Sequence, residues 1–227
     1  MIPASRQAPG LSPAFSISAA ALEAPRRIGL RIAGREFSFA ELAGLTETRA
    51  AELAWPAAGR PYPLTGSNSL ETVLTLYALL DAGVPALMLH PKLTPIERSA
   101  LLAQAEAITT PLPAGTAAVL FTSGTTGSPK AAVITQANLL ASASTSSTNI
   151  GWQENDCWQM CMPIARVGGL SILTRCLAAR RAVAIPPPFD ARTWPQTLAD
   201  QSVTITSLVP TMLVKVFESH PGWSAPA

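Results

Sequence analysis

The chain has 227 residues, room for one large domain or two small ones, and a net charge of +2. Only 13% of residues are charged and mean hydropathy is +0.27, so much of the chain is interior or part of its surface meets more polypeptide. Scattered Lys and Arg, adjacent only at Arg26-Arg27 and Arg180-Arg181, argue against a nucleic-acid partner, and Glu71, Asp81 and Pro85 break the longest apolar run, residues 70–89, so no membrane span is expected.

Arg6 and the small residues at 14–22 make a weak export-signal pattern, preceded by Pro13 and without a strong apolar centre. Alternation at Ile28, Leu30 and Ile32, a turn at Ala33-Gly34 and then Phe37 predict a hairpin. Ser38 with Glu41 forms a capping box that opens a helix with Leu42, Leu45 and Leu53 on one side. Asn68 is the expected cap of the next helix, with Leu70, Val73, Leu74 and Tyr77 as its buried stripe and Gly83 as its stop. Residues 84–89 read as a covered strand, and Thr94-Pro95-Ile96-Glu97 start a helix that runs to about Ala107.

The Thr/Pro-rich residues 109–113 read as a linker, dividing the chain into lobes at 1–112 and 113–227. Beyond it strands are expected at 117–121, 131–134, 158–162, 182–185 and 203–208. Helices are expected around Asn138, from Gly168-Gly169 to Arg180, after an Asp190 cap, and from Thr211. Strands alternating with helices imply right-handed crossovers, hence an α/β fold of two lobes with mostly parallel sheets flanked by helices.

Cys157, Cys161 and Cys176 have neither zinc nor redox spacing and read as small core hydrophobes, which points to a reducing cytoplasm. His90 and His220 lack a neighbouring nucleophile with supporting geometry, and the five tryptophans are spread out as packing residues. No His/Cys/Asp/Glu cluster has metal-ligand spacing.

The chemistry-bearing segment is residues 119–130. A buried strand delivers Thr122, Ser123, Gly124, Thr125, Thr126, Gly127 and Ser128, then Pro129 and Lys130. Gly124 and Gly127 let backbone N–H groups turn toward an oxyanion without Cβ obstruction. The hydroxyls can donate to phosphate oxygens or offer a lone pair to Mg²⁺, with Thr126 the candidate, and Lys130 adds a point charge. A Walker A loop is excluded: Pro129 precedes the lysine, and Ala131-Ala132-Val133-Ile134 read as strand rather than helix. A polyphosphate site at a hairpin tip is expected, against the alternative of a plain Ser/Thr/Gly surface loop.

Those twelve positions resemble the signature of the adenylate-forming superfamily of acyl-CoA synthetases, luciferases and adenylation domains. Residues 37–54, 74–87 and 135–139 resemble further segments of that family. Residues 162–170 and 209–213 look most like the o-succinylbenzoate-CoA ligase and aryl-CoA ligase group. The resemblance implies an enzyme, an AMP-forming acid–thiol ligase. ATP and a small-molecule carboxylic acid give an acyl-adenylate and pyrophosphate, and CoA then takes the acyl group. ATP, Mg²⁺ and CoA are the implied cofactors and co-substrates.

By that resemblance Thr122, Ser123, Gly124, Thr125, Thr126, Gly127 and Lys130 hold phosphate. Arg166, Gly168, Gly169, Pro210 and Thr211 line the acyl pocket. The amides of Gly168 and Gly169 would favour a carboxylate at a helix N-terminus. The family usually has histidine where Arg166 and Gln136 stand, and glycine where Ala131 stands. Arg166 is either a bidentate clamp for an anionic substrate or an exposed loop arginine. Past Thr211 no Tyr-Gly-x-Thr-Glu motif, ribose-binding aspartate, hinge or lid lysine follows, so no certain catalytic residue is expected here. The expectation is an N-terminal portion, weakly active or inactive alone, whose partner is a C-terminal half or a second copy. The alternatives are a non-catalytic nucleotide- or acyl-binding module, or an adenylation fragment feeding a carrier protein.

Overall fold

The computed structural model describes residues 12–122 and 129–225. In chain order, a 3-10 turn at Pro13–Phe15 leads into α1 (Ile17–Glu23), and the hairpin β1 (Ile28–Ile32) and β2 (Arg35–Ser38) follows. Next come α2 (Phe39–Glu52), β3 (Tyr62–Thr65), α3 (Leu70–Ala82), β4 (Ala86–Leu89) and α4 (Pro95–Ala107). Then follow β5 (Thr116–Thr122), β6 (Lys130–Thr135), α5 (Gln136–Ile150), β7 (Cys157–Gln159) and α6 (Val167–Ala179). The chain ends with β8 (Ala182–Ile185), α7 (Trp194–Asp200), β9 (Ile205–Thr206) and α8 (Pro210–Ser219).

The strands form two sheets, ordered β2-β1-β8-β7-β9 and β3-β4-β5-β6. Only the hairpin pairs β1–β2 and β5–β6 are antiparallel. Each sheet draws strands from both sides of residue 112, so the expected division at 112/113 is not a boundary between sheets. β1 crosses to pair with β8, and β4 lies beside β5 across the Thr/Pro-rich segment. Local composition signals a loop there, but which sheet a strand joins is a long-range choice.

α3 is the shared core layer. Every position from Thr72 to Leu80 is buried, which is the pattern of a helix covered on all sides rather than along one stripe. One apolar cluster runs from Leu30, Trp158 and Val183 of the first sheet through Leu76 and Leu79 to Met88 and Leu120 of the second. Gly83 stops α3 in the left-handed conformation, at φ 65°.

The capping boxes at Ser38/Glu41 and Thr94/Glu97 form as expected. Other local expectations shift. Leu45 of α2 is 38% exposed, while Phe39, Leu42, Thr46 and Ala50 form the buried face. Ser69, not Asn68, caps α3, its hydroxyl accepting from Thr72 N. Thr193 rather than Asp190 precedes α7, and the Asp190 carboxylate instead holds Arg192, at 2.7 Å. The strands expected over 158–162 and 203–208 shorten to Cys157–Gln159 and Ile205–Thr206. Side chains replace ladder partners at both ends: Asn68 takes the carbonyls beyond Gln159, and Thr204 Oγ1 accepts from Cys157 N at 3.0 Å.

Candidate functional site

The parallel strands β4 and β5 end side by side, and their carboxyl ends open on a cavity of about 280 Å³. Crevices outside the carboxyl ends of parallel strands are the usual ligand positions of α/β sheets. Here the wall combines Met88 and His90 from the end of β4, Phe121 and Thr122 from the end of β5, and Pro129 at the entry to β6. Glu97 and Leu101 of α4, and Ala165 and Arg166 ahead of α6, complete it. Two separately expected groups therefore converge: the flanks of the Ser/Thr/Gly loop and Arg166.

β5 and β6 pair antiparallel out to Thr122–Lys130, so the loop links the two arms of a hairpin. Ser123, Gly124, Thr125, Thr126 and Gly127 lie outside the described residues. At the base, Thr122 Oγ1 donates to Lys130 O at 3.2 Å, and Gln104 Nε2 of α4 donates to Pro129 O at 3.2 Å. With its proton so engaged, the Thr122 hydroxyl presents lone pairs to the cavity, suited to a cation or a donor rather than to a phosphate oxygen. Lys130 is exposed at the rim.

The backbone leading to Arg166, whose side chain is exposed, is set in place by four contacts that its own sequence context does not announce. Asn68 Nδ2 donates to Met162 O at 3.1 Å and Asn68 Oδ1 accepts from Ile164 N at 3.0 Å, tying the loop after β7 to the turn between β3 and α3. A Cβ on Gly66 would sit 2.7 Å from Ala165 N and Cβ, so that turn lies flush against the residue before Arg166. A Cβ on Gly169 would sit 2.2 Å from Pro163 O, so only glycine lets the first turn of α6 approach the backbone at 162–163. Gly168 and Gly169 thus have a packing reason of their own, beside the amides they place in the first turn. Arg166 precedes that turn with no side-chain cap bond.

The wall carries one charge of each sign, Arg166 and Glu97. Burial, then the positive charges of Arg166 and Lys92, hold the His90 imidazole below its ordinary pKa, so it is neutral at neutral pH. The one carboxylate on the wall, Glu97, is consumed in capping α4: hydrogen bonds from Thr94 N and Thr94 Oγ1, at 2.7 and 2.9 Å, hold it below the usual range. The cavity thus faces a ligand with an arginine, a hydroxyl, a neutral imidazole, an apolar floor and one ionised carboxylate already engaged at the head of α4.

Other expected residues stand elsewhere. Pro210 and Thr211 are exposed at the start of α8 and are not among the residues lining this cavity. Gln136 is buried at the start of α5, where its Oε1 accepts from Ser12 N at 2.7 Å, a structural tether. Ala131 packs on the small cluster around Leu101 and Val119. Cys157 and Cys176 are buried and Cys161 half-buried. His220 Nε2 sits 2.9 Å from Arg192 O, away from the site. Among the described residues no group of three His, Cys, Asp or Glu could hold a metal, and no helix is long and apolar enough to cross a membrane. Asn68, Gly66 and His90 were not legible as site residues; the only hint was the unbroken hydrophilic Gly-Ser-Asn-Ser turn between two apolar elements.

The family described as AMP-binding enzyme matches residues 107–226. A 2-succinylbenzoate–CoA ligase from Bacillus mycoides is 41% identical over 100 residues, 44% of this chain and 21% of that protein. Among solved structures, o-succinylbenzoate CoA synthetase from Bacillus subtilis in complex with the acyl-adenylate intermediate superposes with a TM-score of 0.78 at 25% identity. That match covers 89% of this chain and 63% of the other. The N-terminal domain of FACL13 from Mycobacterium tuberculosis superposes with a TM-score of 0.77 at 19% identity, covering 92% and 65%, a likeness of fold alone. The chain thus spans about a fifth of the curated relatives it matches, and under two thirds of these solved chains.

Proposed function

The chain belongs to the AMP-binding enzyme family, and from that premise we propose that it is the N-terminal part of an AMP-forming acyl- or aryl-CoA ligase of the succinylbenzoate type. In the first half-reaction a substrate carboxylate oxygen attacks the α-phosphorus of ATP. The bond from that phosphorus to the bridging oxygen breaks and pyrophosphate leaves. In the second, the sulfur of CoA attacks the acyl carbonyl, its proton is lost and AMP departs.

The observation that carries the reading is the meeting of Thr122, Pro129 and Arg166 on one cavity at the ends of β4 and β5. The Ser/Thr/Gly loop between Thr122 and Lys130, together with Lys130, holds the phosphates, and Arg166 with the amides of Gly168 and Gly169 draws the carboxylate toward them. Catalysis of this kind rests on positioning and charge neutralisation rather than on a protein nucleophile. Thr122 and Thr126 would offer hydroxyl lone pairs to a Mg²⁺ ion carried by ATP, which would supply charge neutralisation at the phosphates. Neutral His90 leaves the positive field to Arg166 and Lys92.

The experiment is pyrophosphate exchange into ATP with 2-succinylbenzoate and with benzoate, run beside calorimetric titration of a stable acyl-adenylate mimic. Binding of the mimic with acid-dependent exchange supports the ligase reading. Binding without exchange favours a binding module, and no binding overturns both.

A further inference from the structure

A second polar cavity, of about 460 Å³, lies between α5 and α6, apart from the nucleotide site. Its wall is Ala141, Ser142, Thr145, Ser146, Asn149 and Arg175. The α5 residues recur at the spacing that puts them on one helix face, so hydroxyls and an amide form a continuous strip opposite one arginine. Among the described residues no carboxylate lines it.

Arg175 is a half-buried cation short of partners. Its only hydrogen bond among the described residues runs from Nη2 to Ser142 Oγ at 2.9 Å. Its Nε is buried with no acceptor, and no carboxylate lies within ion-pair distance among the described residues. The guanidinium carbon stands 5.7 Å from the centroid of the Trp158 ring, and Trp158 is itself fixed by Nε1 donating to Ser207 Oγ at 3.1 Å. An aromatic face on one side and Ser142 on the other hold the guanidinium plane toward α5. Elsewhere in this chain Arg49 is paired with Glu52 and Glu71 and buried Arg180 with Glu23, while half-buried Arg98 and Arg181 are held by Thr65 Oγ1 and by backbone carbonyls; Arg175 has the Ser142 hydroxyl. Buried charges without a partner are rare, and a guanidinium beside hydroxyl donors is the usual recognition set for an oxyanion.

We propose that the cavity between α5 and α6 binds the oxyanion of a small polar molecule, with Arg175 as the charged anchor and Ser142, Thr145, Ser146 and Asn149 as hydrogen-bonding partners. The site is separate from the reaction proposed above and does not depend on it. A phosphate monoester and a carboxylate share the required chemistry.

The test is ¹H–¹⁵N NMR of the arginine Nε–Hε signals of the whole chain, titrated with inorganic phosphate, with acetate, and with chloride at matched ionic strength. The Arg175 signal is assigned as the one lost in Arg175→Lys, or by through-bond correlation in the wild type should that variant fail to fold. A saturable shift with phosphate assigns the site to phosphate esters, and one with acetate alone to carboxylates. Ser146→Ala then weakens the effect about tenfold or more, as expected for one hydrogen bond to a charged group. Shifts confined to the neighbourhood of Lys130, an Arg175 signal that moves equally with chloride, or one that does not move at all would each overturn the proposal.

Discussion

Replacing Gly169 with alanine is the sharpest probe of how Arg166 is held. A Cβ there would lie 2.2 Å from Pro163 O, 2.5 Å from Pro163 C and 2.7 Å from Met162 O. Every one of these atoms is backbone, so no side-chain rotation relieves the contact, and the start of α6 must move away from the 162–163 segment by about 1 Å. Overpacking of this kind costs about 1–3 kcal/mol, and the rigid partners argue for the upper half of that range. The helix preference of alanine over glycine returns about 0.5–1 kcal/mol. The net is a loss of about 1.5 kcal/mol, a fall in melting temperature of about 3–6 °C for a chain of this size. Gly44→Ala supplies the opposite sign: Gly44 is an exposed position inside α2, and a Cβ there meets nothing within 4 Å. That variant should melt about 1–3 °C higher. Thermal unfolding followed by circular dichroism measures both. If Gly169→Ala melts with or above the wild type, close backbone approach is not what places a glycine at the head of α6.

Three other outcomes follow. Asn68→Ala strips the donor from Met162 O and the acceptor from Ile164 N, and should destabilise the chain by about 2 kcal/mol in urea unfolding while weakening adenylate binding; a variant unchanged in both would remove Asn68 from the account. His90 should titrate below 6.5 by NMR and move upward in Arg166→Met. Because the folded pKa is depressed, its contribution to stability is complete above the unfolded value and is lost as pH falls toward the folded one; a wild-type value at or above 6.5 would contradict the cationic field. Arg180→Ala should cost about 2–4 kcal/mol, because Arg180 is 8% exposed and bonds Glu23 and the carbonyls of Pro13, Ala14 and Leu177, so its removal orphans carbonyls that cannot all rehydrate. Unfolding of that variant at the wild-type denaturant midpoint would show the network to be dispensable.

What the sequence makes legible is local. Ser38/Glu41 and Thr94/Glu97 announce their helices because a capping box is written in four consecutive residues, and Gly83 announces a stop because only glycine takes its conformation cheaply. The strand-to-hairpin character of residues 116–135 was readable from apolar runs on either side of a polar loop. Neighbouring polar residues compete for a cap, and that competition hid Asn68: Ser69 wins the helix, leaving Asn68 to bridge two loops whose meeting has no local trace. The interleaving of the sheets is likewise a property of distant pairs, β1 with β8 and β4 with β5. In the site, the loop flanks and Arg166 can be named singly, but their convergence on one cavity, whose lining does not include Pro210 or Thr211, is a tertiary fact.

Hydrogen–deuterium exchange with and without Mg²⁺–ATP tests the central claim most directly. Nucleotide should slow exchange in two separate stretches, residues 119–135 and 162–170, and Lys130→Ala should abolish both effects at the same ligand concentration. Protection absent from these stretches, or confined to the cavity formed by residues 32–37 and 185–188, would contradict a phosphate site at the ends of β4 and β5.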